Sequence, residues 1–405
     1  MKRSIQTGIL GLLTLGSASA QGLYYVGTEA QESMPLKWVV GASLIYDDNV
    51  SPASGSEDDS VALNPYVGAS MVSVTPQTTI DVYARLGLIY YFDAPSSLND
   101  DTFGQSRAGV NITHRFSERL RLSSRNFISY ELEPDYSYGY ATSRQIGEYL
   151  YWQTDNALGF RWTERLATYT GFKLVGYDYD VANNDRFIWQ LYNQFRYQLS
   201  PQTVLTLDYR YGQTIGDGAS SDSTNQYLLG GVEHRFSPNT IGILRAGAQF
   251  RSVDDGDDYT SPWVEFALNS RINEQFRIRS FARYGIEDYD TVQFLPGGSL
   301  VEYDERKSLR FGLSGEYAVS RELSIQGGVD YIPTSYESGR LVSGPALASI
   351  PEGDEDIVNA YIGFSYRFTD YLTGNASYNY TNSDSDFGSR DYDRNRISVG
   401  LSAEF

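Results

Sequence analysis

Apolar and polar residues alternate with a period of two along most of the chain. In residues 203–213 one face is apolar and aromatic, whereas the other carries Thr206, Asp208 and Arg210. The same division recurs in residues 187–199, 275–287, 307–319, 356–368 and 394–405. Period two is the pattern of a β-strand whose two faces meet different environments. The chain is therefore predicted to be all-β.

The connections between these segments alternate between two kinds. Eight tight turns are predicted at residues 75–77, 117–119, 163–165, 200–202, 237–239, 273–274, 320–322 and 369–370. Nine long loops, rich in Asp, Ser, Gly and Asn, are predicted at residues 48–60, 93–102, 132–145, 179–185, 216–223, 253–258, 288–304, 333–355 and 383–391. This alternation predicts a meander of about eighteen strands, with sixteen as the alternative count.

The strand length indicates a membrane. Strands in soluble sheets usually have about 5–6 residues, whereas a tilted strand needs about 9–11 residues to cross the hydrocarbon layer. The segments here have the longer length, and lipid requires such a sheet to close on itself. We therefore predict a transmembrane antiparallel up-and-down β-barrel in the outer membrane, in contact with lipid and lipopolysaccharide. A soluble all-β fold is the alternative, and a homotrimer is left open.

Both ends of the chain carry export and assembly signals. Residues 1–20 have the basic start, short apolar stretch and small final residues of a secretory signal peptide. A periplasmic leader is predicted at 21–36 and the barrel at 37–405. The last strand ends in the pattern of an outer-membrane assembly signal, which implies the assembly machinery as a partner; its residues are Ser398, Gly400, Ala403 and Phe405.

The composition excludes several kinds of chemistry. The chain has no cysteine, so disulfides and thiolate metal sites are impossible, and it has only two histidines. A net charge of −19 disfavours nucleic acid. His114 and His234 each precede a tight turn, and no nucleophile, phosphate-loop or metal-ligand spacing accompanies them. We predict no enzyme activity and no cofactor.

Most acidic residues lie in or beside the long loops. The densest stretch contains Asp254, Asp255, Asp257 and Asp258. Carboxylate oxygens suit Ca²⁺ or Mg²⁺, although this spacing matches no EF-hand. The stretch is interpreted as a solvated, repulsive rim, with divalent-cation binding as the weaker alternative.

Arginines dominate the polar face of the predicted strands. A charge on the lipid face costs about 2–4 kcal/mol near the midplane, so these residues are expected to line the lumen. The predicted pore-lining set is Arg85, Arg196, Arg210, Arg245, Arg277, Arg279, Arg283, Arg310, Arg367 and Arg396. Two hypotheses remain: the arginines present positive charge to anionic solutes, or they pair with inward acids such as Asp208, Glu233 and Glu265.

The longest predicted loop, 333–355, has an apolar centre. We expect this centre to fold into the lumen as a constriction, through Leu341, Pro345, Leu347 and Ile350. The alternative is that the other large loop, 288–304, forms a hairpin that extends the barrel wall above the membrane.

The segment Tyr46-Asp47-Asp48-Asn49-Val50 closes the first predicted strand. Together with the Arg- and Tyr-rich alternation and the terminal aromatic, it resembles the opening of the putative β-barrel porin 2 family of Gram-negative bacteria. The resemblance implies an outer-membrane barrel, many relatives of which are linked to exopolysaccharide or capsule machinery. The expected function is a porin-like passive channel for small hydrophilic or anionic solutes, with polysaccharide export as an extension. A non-conducting structural or adhesive barrel with ion- or partner-binding loops is the alternative.

Overall fold

The computed structural model describes residues 33–50, 58–94, 98, 100–132, 147–180, 185–217, 220–254, 256–288, 291–295, 297–387 and 390–405, with Ser19–Gln21 and Tyr24–Val26. These last two segments pair with each other in a separate antiparallel ladder. Most of the predicted signal peptide, 1–20, and part of the leader, 21–36, lie outside the described residues. Among the described residues, no helix is long and apolar enough to cross a membrane.

Eighteen antiparallel strands form the wall. They are β1 (Met34–Asp47), β2 (Ser60–Val74), β3 (Thr78–Tyr91), β4 (Thr102–Arg115), β5 (Leu120–Glu131), β6 (Tyr149–Arg161), β7 (Leu166–Tyr179), β8 (Arg186–Ser200), β9 (Thr203–Gly216), β10 (Ser223–Ser237), β11 (Thr240–Val253), β12 (Asp258–Arg271), β13 (Phe276–Ile286), β14 (Ser299–Ala318), β15 (Leu323–Ser343), β16 (Gly353–Arg367), β17 (Leu372–Ser385) and β18 (Tyr392–Glu404).

The strands close into a barrel in chain order. Each pairs with its neighbours in sequence, and β18 returns to pair with β1, from Arg396 opposite Asp47 to Glu404 opposite Val39. A short extension strand, Val292–Leu295, continues the position of β13 and pairs with the start of β14. Closure pairs the backbone groups within the wall, as lipid requires. The predicted eighteen-stranded up-and-down barrel is confirmed.

The first and last strands of the barrel meet at the closing seam. The Phe405 N–H donates to the Trp38 carbonyl at 2.8 Å, and the Trp38 N–H donates to the Phe405 carbonyl at 3.0 Å. Gly400 allows β18 to lie close to β1, because a side-chain carbon there would lie 2.8 Å from the Ala42 carbonyl oxygen. The residues of the predicted assembly signal thus stand beside β1; their recognition by an assembly machinery stays a prediction.

Tight turns occur where the sequence predicts them. Ser117, Thr163, Ser320 and Thr369 each accept hydrogen bonds from two backbone N–H groups, those two and three residues ahead. A short hydroxyl side chain mimics the missing backbone acceptor and fixes the turn. All eight turns lie at one end of the barrel, the tight-turn end, and the nine longer connections lie at the opposite loop end.

The predicted loop 333–355 is wrong in extent. β15 continues to Ser343, and β16 begins at Gly353, so only residues 344–352 connect the two strands. The alternation continues through residues 333–343, but these residues include Pro, Ser, Gly and Glu, a composition typical of loops. Pairing with β14 keeps this segment extended. β14 and β15 are the longest strands, with 20 and 21 residues.

The two faces of the wall differ sharply in exposure. In β9, Leu205 and Leu207 are 40 % and 50 % exposed, whereas Thr206 and Asp208 are 6 % and 3 % exposed. Exposed apolar side chains share the outer face of the other strands, among them Leu44, Leu86, Ile128, Leu158, Leu191, Leu228, Leu244, Leu313, Ile362 and Val399. A continuous apolar exterior of this kind is a lipid-facing surface. Positions of the opposite parity are lumen-facing.

Two adjacent residues of β17 test this division. Ala376 faces outward beside Phe364 and Val399, and Ser377 faces the lumen. Ala376→Arg is expected to lower the free energy of unfolding by about 2–4 kcal/mol, because the guanidinium enters hydrocarbon. Ser377→Arg should change it by about 0.5 kcal/mol or less. Urea unfolding in phospholipid vesicles measures both, and equal losses would contradict the assignment of the faces.

Candidate functional site: the polar lumen

The wall splits between β12 and β13. These strands pair only from Arg271 opposite Arg277 to Val264 opposite Tyr284, and beyond that β13 continues with β14 alone. A side-chain carbon at Gly285 would lie 2.0 Å from the Trp263 ring. Only glycine lets the backbone pass so close to the indole. The next residues, 286–288, here named the lumenal segment, therefore lie on the inner side of β12.

Gln249 of β11 holds the start of the lumenal segment. Its Nε2 donates to the Ile286 carbonyl at 3.0 Å, and its Oε1 accepts the Ile286 N–H at 2.9 Å. Gln249 is fully buried. Because β12 separates β11 from β13 in the wall, these bonds cross the inner surface of β12.

The Asp288 carboxylate is the centre of the contacts beyond Ile286. It accepts hydrogen bonds from Thr214 Oγ1 at 2.9 Å, Ser223 Oγ at 2.9 Å and Asn225 Nδ2 at 2.8 Å. Arg251 forms an ion pair with the same carboxylate. These partners stand on β9, β10 and β11, so Asp288 ties the lumenal segment to the inner side of three strands.

Glu287 is shared by three arginines. Arg283 lies 2.6 Å, Arg306 2.8 Å and Arg310 2.7 Å from its carboxylate oxygens. The side chains of Arg306 and Arg310 are buried, as is that of Glu287. Glu287 thus joins arginines of β13 and β14 through one carboxylate.

A second network lines β8 to β12. Its ion pairs are Arg196–Glu233 at 2.5 Å, Arg210–Glu265 at 2.7 Å, Arg245–Glu265 at 3.3 Å, Arg245–Glu233 at 3.4 Å and Arg245–Asp208 at 3.6 Å. Trp263 Nε1 donates to Glu265 at 2.9 Å. Arg283 lies over the Trp263 ring at 5.9 Å. The two networks therefore meet at Trp263, where the wall splits.

A further contact crosses the loop end. The Glu302 carboxylate accepts hydrogen bonds from the Ser221 N–H at 2.7 Å and the Ser221 hydroxyl at 3.0 Å. Arg340 forms an ion pair with Glu302 and also bonds to Ser221. Ser221 lies between β9 and β10, whereas Glu302 belongs to β14. The β14–β15 hairpin therefore reaches across the loop end of the lumen.

The predicted constriction residues lie near this hairpin. Leu341 belongs to β15, opposite Val301, and the Pro345 carbonyl accepts a hydrogen bond from Ser299 at 2.9 Å. Leu347 and Ile350 pack against a buried cluster formed by Leu295, Val301, Tyr303, Tyr336 and Phe387. Their role as a constriction stays a prediction. The predicted loop 288–304 is largely strand, as the hairpin alternative proposed, and its first residue is the Asp288 that lies in the lumen.

The ten predicted pore-lining arginines all occupy lumen-facing register positions. Arg196, Arg210, Arg245, Arg283, Arg310 and Arg396 form ion pairs, the last with Asp47 at 3.0 Å. Arg85 lies 3.8 Å above the Tyr66 ring and donates to Asn64, and Arg279 stands opposite Ser314. Within the described part of the chain, Arg277 and Arg367 have neither a hydrogen bond nor an ion pair from their side chains. Of the ten, the two arginines without such a partner among the described residues, Arg277 and Arg367, both lie near the tight turns.

The acidic stretch of the loop end gives no metal site in the part that is described. Asp254, Asp257 and Asp258 are exposed or at the surface, and Asp255 lies outside the described residues. Among the residues with described placement, no group of three or more His, Cys, Asp or Glu side chains is arranged to hold a metal ion. Cation binding by this stretch stays a prediction.

Alternation alone did not identify the residues that hold the lumenal segment. Thr214, Ser223, Asn225 and Gln249 look like ordinary polar positions of half-buried strands, and Asp288 looks like any loop acid. The available signal was Gly285, a glycine within a strand, which often marks a close backbone approach. This glycine indicates that the strand is irregular there, but it does not indicate that the following residues lie on the lumenal side.

A closed barrel with a lipid-facing exterior and a charged, arginine-rich interior defines the class of outer-membrane barrels to which porins belong. The model of the family described as "Putative beta-barrel porin 2" matches residues 158–405. The chain belongs to this family and is an integral outer-membrane protein. The tight-turn end is therefore the periplasmic end.

Solved structures with similar barrels come from several bacteria. The outer membrane protein OpdK of Pseudomonas aeruginosa is 13 % identical, with 91 % of this chain and 99 % of that chain covered and a TM-score of 0.48. OccAB4 of Acinetobacter baumannii is 13 % identical, with 92 % and 99 % covered and a TM-score of 0.45. A BenF-like porin of Pseudomonas fluorescens Pf-5 is 10 % identical, with 93 % and 100 % covered and a TM-score of 0.47. No curated protein matches the sequence.

Proposed function

We propose that the protein is a passive channel for small hydrophilic solutes and that it prefers anions. The observation that carries this proposal is unpaired positive charge near the periplasmic end. At lumen-facing positions there, Arg115, Arg271, Arg277 and Arg367 make no side-chain hydrogen bond or ion pair with any described residue. Arginine rings select for anions because they lower the electrostatic barrier to negative solutes.

The lumenal segment supports a size limit. It ties Asp288 to three strands across β12, which leaves less room than an empty eighteen-stranded wall would enclose. Small solutes suit such a lumen. Passage of an exopolysaccharide, which the family resemblance implies, stays a prediction, because a polymer would have to thread past this segment. The non-conducting alternative predicts no current at all.

Selectivity tests the proposal at two neighbouring arginines. Arg271 and Arg277 stand opposite each other on β12 and β13. In the double variant Arg271→Glu/Arg277→Glu, we expect the chloride-to-potassium permeability ratio to fall about tenfold, since lumen potentials of several kT act on permeating ions. The measurement is the zero-current potential in planar bilayers under a potassium chloride gradient.

The matched control makes the same charge change outside the lumen. Arg119 and Arg321 are exposed residues of periplasmic turns, and Arg119→Glu/Arg321→Glu should shift the ratio much less. An equal shift in both double variants, or none in either, would contradict the assignment of selectivity to the lumen-facing arginines.

A further inference from the structure

One lysine at mid-barrel differs from the paired basic residues around it. Lys173 occupies a lumen-facing position of β7, opposite Asp155 of β6 and Gln190 of β8, and is partly exposed. In the part of the chain that the structure describes, its ammonium group makes no hydrogen bond and no ion pair. A partly buried ammonium usually has a carboxylate partner. The Lys173 head group is therefore available to a solute.

The carboxylate opposite Lys173 is bound elsewhere. Tyr192 Oη donates to Asp155 Oδ1 at 2.6 Å. The Tyr192 ring lies over Gly171, where a side-chain carbon would be 2.6 Å from the ring. Gly171 thus lets Tyr192 lie along the wall beside Lys173, where its hydroxyl group binds Asp155. Asp155 still acts on the ammonium electrostatically, without forming an ion pair with it.

Charged groups of other strands also act on Lys173. Arg210 of β9 and Arg283 of β13 add positive potential there, whereas Asp155 and Glu265 add negative potential. Arg210 donates to both oxygens of Glu265, at 2.7 and 3.1 Å, and Arg283 shares Glu287 with two other arginines. Glu265 and Glu287 are therefore bound to guanidinium groups and Asp155 to a tyrosine hydroxyl, whereas Lys173 has no such bond to any described residue.

We propose that Lys173 forms a binding subsite for small oxyanions, carboxylates or phosphate, at the middle of the lumen. The ammonium group donates to the anion oxygens, and Arg283 adds positive potential at the same place. Oxygen acceptors suit such donors because charge-assisted hydrogen bonds are short and strong. The subsite deepens the proposed function and rests on it, since anions reach Lys173 through the lumen.

The test compares Lys173→Met with two other lysine variants. Isothermal titration calorimetry of the full detergent-solubilised chain, with inorganic phosphate and with acetate, measures binding directly. Lys173→Met should lower the affinity about tenfold or more, the worth of one charge-assisted hydrogen bond. Lys173→Arg keeps the charge and should retain most of the affinity. Lys37→Met, which removes a lumen-facing lysine paired with Glu404, should leave it unchanged.

The outcomes separate the subsite from the channel. Unchanged affinity in Lys173→Met, or no binding by the unaltered protein, would overturn the subsite. Loss of affinity in Lys173→Met for only one of the two anions would assign the subsite to that anion. Absence of ionic current from the unaltered protein would overturn the proposed channel, while calorimetry would still decide the subsite, because binding in detergent needs no conduction. Retained resistance of the folded barrel to cold SDS shows that each variant is folded.

Discussion

Asp288→Ala is expected to raise the single-channel conductance several-fold. The substitution removes the acceptor of Thr214, Ser223 and Asn225 and the counter-charge of Arg251. The lumenal segment keeps the Gln249 bonds, the Glu287 ion pairs and a hydrogen bond from Arg186 to the backbone carbonyl of residue 288. It loses its side-chain bonds to β9 and β10, so we expect its end to leave the lumen for part of the time. Planar-bilayer recordings should show larger and noisier openings, because the segment exchanges between two positions.

The control for this variant is another acid of the loop end. Asp254 is exposed and contributes a backbone bond to Asp222, so Asp254→Ala should leave the conductance unchanged. If Asp288→Ala conducts like the unaltered protein, the lumenal segment does not limit the flow of ions. An equal rise in both variants would point instead to the charge of the outer rim.

Glu233→Gln is expected to lower the free energy of unfolding of the barrel by several kcal/mol. Arg196 donates to both oxygens of Glu233, at 2.7 and 2.5 Å, and both side chains are fully buried. Loss of the carboxylate leaves the guanidinium in a buried place without its counter-charge. Removal of one partner of a buried pair costs about 3–5 kcal/mol. Urea unfolding in phospholipid vesicles measures the loss.

A partly exposed pair provides the matched control. Lys37 and Glu404 join β1 to β18 at the periplasmic end, with side chains 29 % and 34 % exposed. Glu404→Gln should lower the free energy of unfolding by about 0–1 kcal/mol, because water replaces most of the stabilisation that a partly exposed ion pair provides. If Glu233→Gln lowers the free energy of unfolding no more than Glu404→Gln does, then other groups compensate the charge of Arg196, and the buried network contributes little to stability.

The wall of the barrel was predictable because it depends on local signals. The alternation in residues 203–213 and 394–405 fixes which side chains meet lipid, since a shift of one residue would place charges in hydrocarbon. Short turns carry hydroxyl residues such as Ser117 and Thr163 at the position that caps the turn. Each of these signals lies within a few residues of the structure it specifies.

The contents of the lumen depend on contacts between residues far apart in the chain. Asp288 bonds to Thr214, Ser223 and Asn225, which lie 63 to 74 residues earlier. No local sequence pattern predicts contacts between residues so far apart in the chain. For the same reason, residues 333–343 were predicted as loop: their strand conformation follows from pairing with β14, and pairing is a tertiary interaction that overrides a weak local preference.

The positions of the arginines could be predicted from the sequence, but their ion pairs could not. Their lumen-facing positions follow from the alternation and the cost of burying charge in lipid. Whether each is paired depends on which acids face it across the strands, and this differs between Arg196, which is fully paired, and Arg277, which is not. Lys173 shows the same dependence, because Asp155 faces it in register but is bound to Tyr192.

The zero-current potential of the unaltered protein in a planar bilayer, across a tenfold gradient of potassium chloride, decides whether the barrel is an anion-selective channel. We expect a steady ionic current and a potential whose sign shows that chloride crosses more easily than potassium. A cation-selective potential, or a folded and inserted barrel that carries no current, would contradict it.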